Sequence, residues 1–171
     1  MTPKITPFLW FEQNAEEAIN YYVSVFNTAP GKKADSKILS IQRYPKEVMI
    51  KEWEGMDGKI ITAVFELEGQ RFMALDGGPV FKPSGAISFL VECENQEQVD
   101  HYWNKLSDGG EPQAQQCGWL QDKFGFMWQI NPTILGKLLS DPDKAKADRV
   151  MKAMLQMKKL DIATLLAAAG E

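Results

Sequence analysis

His101 is the sole histidine of this 171-residue chain, and Cys93 and Cys117 are its sole cysteines. Nucleophilic and acid–base chemistry therefore have few places to go. A cysteine nucleophile needs a base or a helix N-terminus to make its thiolate. Cys117 stands beside Trp119 and close to Asp122 and Lys123, but no histidine is near it in sequence and its segment reads as a strand. Packing is the expected role of both cysteines. They are too far apart for a CxxC pair and too few for a disulfide framework, so they read as reduced thiols of a cytosolic protein. His101 falls within a helical pattern and is expected on a helix face. Asp76-Gly77-Gly78 is the one glycine-rich stretch that could cradle the phosphate of a nucleotide-like cofactor. Such a loop must open a helix; this one runs into Pro79 and reads as a turn. No cofactor is expected.

The elements that would position a site belong to an ordinary globular chain, with 44% hydrophobic and 25% charged residues. The formal net charge of −4 leaves no basic footprint for nucleic acid. No stretch approaches the roughly 18 apolar residues of a membrane span. The opening MTPKITPFLWF lacks a basic region followed by a long apolar core, so no signal peptide is expected.

The chain repeats itself. Displaced by 81 positions, Ile5 to Phe26 lies over Ala86 to Ser107 without gaps. Phe8 meets Phe89, Leu9 meets Leu90, Asn14 meets Asn95, Glu16 meets Glu97 and Tyr21 meets Tyr102. Five identities compare with about one or two expected at roughly 6% per position. Each copy opens with an apolar run of strand length and then an asparagine suited to cap a helix. Glu17 and Gln98 follow three residues later, as in a capping box. Apolar residues at helical spacing come next: Ala15, Ala18, Ile19, Tyr22 and Phe26 in one copy, Val99, Tyr102, Trp103 and Leu106 in the other.

Strand-like runs follow each helix. SKILSIQRY, KIITAVFELEG and QRFMALDGG come first, with a hairpin turn at Glu68-Gly69-Gln70. The second copy has a shorter set, around PQAQQCGWL and FMWQINP, turning at Lys123-Phe124-Gly125. The segment from Pro45 to Gly58 reads as an irregular polar loop. The fold expected is α+β: a β-α-β-β-β module over 1–78, a linker over 79–84, a second module over 85–132 and a helical tail over 133–171. Within the tail, Val150, Met151, Met154, Leu155 and Met157 form an apolar stripe expected to pack on the modules or on a partner subunit.

PFLWFEQNAEEAINYYVSVF, FMALDGGP, AISFLVECENQEQVDHYW and CGWLQDKFGFMWQINP together resemble the vicinal oxygen chelate superfamily of glyoxalase and bleomycin-resistance proteins. More narrowly they resemble its PhnB-like branch, whose members are often labelled 3-demethylubiquinone-9 3-methyltransferase. The resemblance spans nearly the whole chain. It implies two half-barrel sheets around a cavity, and often a homodimer. Catalytic members hold a divalent metal with four His or Glu side chains, on the first and fourth strands of each module. Those positions fall here at Thr6 or Pro7, at Ile87 or Ser88, near Ala74 and at Gln129. None is a carboxylate or an imidazole, and hydroxyls with one amide are poor substitutes. No metal is expected.

Aromatic surface remains, from Phe8, Trp10, Phe72, Phe89, Trp119 and Trp128. Pockets for small molecules have apolar walls with a few orienting polar groups, and Asp76, Ser88 and Gln129 are expected to project onto the concave face. The candidate ligand-binding set is Phe8, Trp10, Phe72, Asp76, Ser88, Trp119 and Gln129. The leading expectation is a cytoplasmic, homodimeric protein that binds a small organic molecule. An enzyme of lyase, isomerase or dioxygenase type is the alternative, with a nonstandard site such as Asp76 and Glu92 or with acid–base catalysis on a carboxylate. Methyl transfer ranks below both. A third class is an interaction protein recruiting a partner through its Met-rich tail.

Overall fold

The computed structural model describes residues 4–46 and 54–171. Part of the loop expected between Pro45 and Gly58 lies outside the described residues. The chain divides into two units, Met1–Pro83 and Ser84–Glu171.

In the first unit, β1 (Phe8–Phe11) leads into α1 (Ala15–Asn27), followed by β2 (Lys37–Arg43), β3 (Ile60–Leu67) and β4 (Gln70–Asp76). The sheet order is β1-β4-β3-β2. β1 and β4 run parallel and the other neighbours antiparallel. All five helix-period residues expected at α1 are buried. They meet one sheet face, made by Leu9, Phe11, Phe65, Phe72 and Ala74, each at most 6% exposed. Period-two alternation sends the next residues of each strand to the other face.

In the second unit, β5 (Ser88–Cys93) leads into α2 (Gln96–Leu106), then β6 (Trp119–Gln121) and β7 (Met127–Pro132), in the order β5-β7-β6. Its module is abbreviated among the described residues. Where a second strand would follow the helix, Pro112–Ala114 form one 3-10 turn and Gln116 makes an isolated bridge to Trp119. Pro112 has no N–H for a ladder. Cys117 and Gly118 take positive φ, 51° and 85°, and fold the chain straight back.

The two strand–helix starts are closed differently. Asn95 Oδ1 accepts from the Gln98 backbone amide, and the Gln98 side-chain Oε1 accepts from the Glu94 backbone amide, close to the box expected. Asn14 makes no such bond. Its place is taken from across the sheet by Asp76, whose Oδ1 accepts the Ala15 amide at 2.8 Å.

The tail forms α3 (Thr133–Leu139), α4 (Lys144–Leu155) and α5 (Ile162–Ala169). Leu135, Leu138, Val150, Leu160, Leu165 and Ala169 build a small core of their own. Of the expected methionine-rich stripe, Val150 alone is buried; Met154 and Met157 pack against this core, while Met151 and Leu155 are exposed. Met151 and Leu155 were placed on the covered face because helical spacing alone does not show how wide that face is.

Polar contacts tie the segment between α4 and α5 to the second module. The carbonyls of Met157 and Lys158 accept the amides of Cys117 and Gly118, both at 2.8 Å. The Gln96 carboxamide accepts from the Ile162 amide and donates to the Leu160 carbonyl. Lys159 pairs with Asp100 at 2.6 Å. That lysine holds the Asp100 carboxyl below its ordinary value of 3.8. The Thr164 hydroxyl and amide do the same for Asp161, which caps α5. A carboxyl lowered by folding contributes stability above its ordinary value and loses it as pH falls through the folded one. Acidification below pH 3.8 is therefore expected to raise amide exchange over 157–169 before it raises exchange in β3 and β4. Sheet amides exchanging first would contradict this.

Candidate functional site

Each sheet has one face covered by its helix and one face turned away. In the first unit the open face is fixed by register. Phe8 pairs with Met73, Met73 with Val64, and Val64 with Ser40, giving one row across four strands. Trp10 and Leu75 pair in the next row. Arg71, Glu66 and Lys37 form the row on the other side. The face therefore grades from aromatic at Trp10 to charged at Arg71.

Trp10 is held in place. Its Nε1 donates to the Gly78 carbonyl at 2.9 Å, and Phe81 meets its ring edge-on with centroids 5.0 Å apart. A Cβ on Gly77 would fall 2.1 Å from the indole, so this position needs glycine for the ring to lie where it does. The Asp76-Gly77-Gly78 stretch is a turn that seats Trp10, in agreement with its reading as a turn. Phe8 is left 48% exposed, which gives the face uncovered apolar area.

In the second unit, register places Leu90 with Gln129, Ser88 with Met127 and Trp119 with Gln129 on the open face. Gln129 Nε2 donates to Ser88 Oγ at 2.8 Å. Leu90 is 55% exposed. Here too an apolar surface surrounds a small polar pair.

Five expected residues thus lie on open faces: Phe8 and Trp10 in one unit, Ser88, Trp119 and Gln129 in the other. Phe72 and Asp76 do not. They share strand parity with Ala74 and point to the helix side, 6% and 1% exposed. Asp76 spends both carboxylate oxygens on backbone, accepting from Ala15 N at 2.8 Å and Ile60 N at 2.9 Å. It closes the core where β3, β4 and α1 meet, and is not available to a ligand on the open face. Phe89 and Trp128 also lie on the core side, with ring centroids 5.2 Å apart. His101 sits half-buried on α2, edge-on to Tyr102.

The positions of the superfamily's metal shift with this parity. On the closing strand of the first module the open-face residues are Met73 and Leu75; Ala74 is fully buried on the other side. Thr6, Met73, Ser88 and Gln129 supply a hydroxyl, a thioether, a hydroxyl and an amide. This donor set does not suit a hard divalent ion. Among the described residues no group of three or more His, Cys, Asp or Glu could hold a metal.

A crevice of about 280 Å³ lies elsewhere in the first unit, lined by Gln13, Asn14, Glu16, Glu17, Arg43, Gly58, Lys59 and Asp76. Its charges are largely satisfied within the fold. Arg43 grips Glu16 with two bonds of 2.7 and 2.8 Å, holding that carboxyl below its ordinary value. Lys59 donates to the Gln13 carbonyl. These pairs staple α1 to β2 and β3.

Residues 3–131 match the family described as 3-demethylubiquinone-9 3-methyltransferase. The chain is 37% identical to the PhnB protein of Bacillus cereus, described as a candidate 3-demethylubiquinone-9 3-methyltransferase. That likeness has a TM-score of 0.61 and covers 77% of this chain and 100% of that one. A Pseudomonas aeruginosa protein of known structure is 20% identical at a TM-score of 0.57, covering 77% and 98%, and shows the fold alone. No curated protein matches significantly. The α3–α5 tail lies beyond the family match. With two modules of the glyoxalase and bleomycin-resistance type and this match across most of its length, the chain belongs to the PhnB-like, 3-demethylubiquinone-9 3-methyltransferase family.

Proposed function

We propose that the protein binds a small, partly aromatic organic molecule on its open sheet faces, without a resident metal. The observation that carries this reading is the make-up of those faces. Phe8, Trp10, Met73 and Leu75 in one unit, and Leu90, Trp119 and Met127 in the other, offer apolar contact. Few polar groups stand among them, and the Ser88–Gln129 pair is already set in place. That is the balance of a small-molecule site: walls for affinity and a few donors and acceptors for orientation. The family's methyltransferase description gains no support from Asp76-Gly77-Gly78, because Gly78 leads to Pro79 and no helix follows to receive a phosphate. We place the protein in the cytoplasm, as a homodimer.

Native mass spectrometry of the purified protein, set against its denatured mass, tests all of this. The expected species is a dimer without metal, carrying an organic adduct when its ligand co-purifies. A stoichiometric metal ion on each chain would overturn the reading. A monomer would remove the homodimer from it.

A further inference from the structure

Resting on that reading, the charged row of the first sheet narrows the class of ligand. Arg71 lies on the open face of β4, two residues from Met73 and four from Leu75. Among the described residues its ionic partner is Glu66, with Nη2 and Oε1 3.6 Å apart, beyond hydrogen-bond length. Arg71 Nε is sealed from water and has no acceptor. Buried donors are nearly always paired, and an unpaired one commonly marks the place of a missing group. Lys37 flanks Glu66 on the opposite strand, so the row Lys37–Glu66–Arg71 carries one net positive charge. Glu66 keeps the guanidinium in place without saturating it.

We propose that Arg71 receives the negatively charged group of the ligand, and that the first sheet therefore takes a small organic anion with an aromatic or branched apolar body. A planar guanidinium suits a carboxylate or sulfonate because two parallel N–H groups can meet two oxygens. The apolar body then lies over Met73 and Phe8 toward Trp10, along the gradient the register sets.

Two dyes with similar arenes separate the charge from the apolar contact: anilinonaphthalene sulfonate, an anion, and phenylnaphthylamine, which is neutral. Both are titrated into the full-length protein and followed by amide NMR spectra, which locate the site and report folding. Shifts at Phe8, Trp10 and Met73 are expected, with the sulfonate bound about tenfold tighter, the size of one charge-assisted contact. Arg71→Gln should remove that advantage and leave the amine's affinity within about twofold. Glu66→Gln, which removes the competing carboxylate, should tighten the sulfonate alone, and it carries the test if Arg71→Gln does not fold. Equal affinities for the two dyes, or a sulfonate affinity untouched by both substitutions, overturn the anion assignment while the small-molecule reading stands. Failure of both dyes to bind overturns both readings.

Discussion

Asp76→Ala is expected to cost the first unit about 3 to 5 kcal/mol, because each buried amide left without an acceptor costs about 1–3 kcal/mol. The carboxylate is 1% exposed and accepts from Ala15 N and Ile60 N. It performs the cap that Asn14 does not make, and it fixes the first residue of β3 against the end of β4. In a unit of this size such a loss lowers the midpoint of thermal unfolding by more than about 10 °C. Asp76→Asn keeps one oxygen acceptor and presents an NH2 group to a second donor, so its loss should be intermediate. Hydrogen exchange at the Ala15 and Ile60 amides distinguishes local from global loosening. A melt within about 2 °C of wild type would show that the carboxylate is dispensable.

The second unit has its own buried carboxylate, and Asp122→Ala should be about as damaging. Asp122 is 2% exposed. Its Oδ1 accepts from the Phe124 and Phe126 amides at 2.9 and 3.0 Å, which shapes the turn between β6 and β7. Its Oδ2 accepts from Trp128 Nε1 at 2.7 Å, and Trp128 is itself 2% exposed. Removing the carboxylate strands three donors and leaves a small cavity, a loss of about 3 to 5 kcal/mol. Tryptophan fluorescence and near-UV dichroism report it directly, since the Trp128 environment becomes wet. Asp122→Asn, which keeps the volume, should recover part of the turn. Unchanged spectra and stability in Asp122→Ala would refute the role.

Fold type was legible because hydrophobic period and capping residues agreed: every helix-period residue expected on α1 and α2 is buried. The duplication was legible too, yet one detail of its alignment misled. In the helices an offset of 81 superposes Ala18 on Val99 and Tyr22 on Trp103, all buried. In the opening strands the buried pair Leu9 and Phe11 corresponds to Val91 and Cys93, an offset of 82. The first strand–helix connection is one residue longer, so identical Phe8 and Phe89 point to opposite faces of their sheets. Gap-free matching cannot show this, because one inserted residue costs little identity and inverts every side chain. Asp76 was misplaced for a different reason. It looked like a polar group on a concave face, and Phe72, of the same parity, was placed there with it, although both share the parity of buried Ala74. Its role appears only when Ala15 and Ile60, distant in sequence, are brought to its two oxygens. Arg71 drew no notice in the sequence because an Arg on a strand flanked by Gln70 reads as solvated edge.

The clasp between the second module and the tail sets an order of events during synthesis. The amides of Cys117 and Gly118 wait for the carbonyls of Met157 and Lys158, forty residues further along the chain. At about 5–20 residues per second that is a delay of roughly 2–8 s. The first unit has no such wait, since Asp76 supplies the last of the bonds described for α1 and β3. For that interval a nascent chain would hold one finished unit and one whose turn at Cys117 and Gly118 is still without its tail partners. Chaperones that hold unfinished sheet edges would meet this chain at its second half.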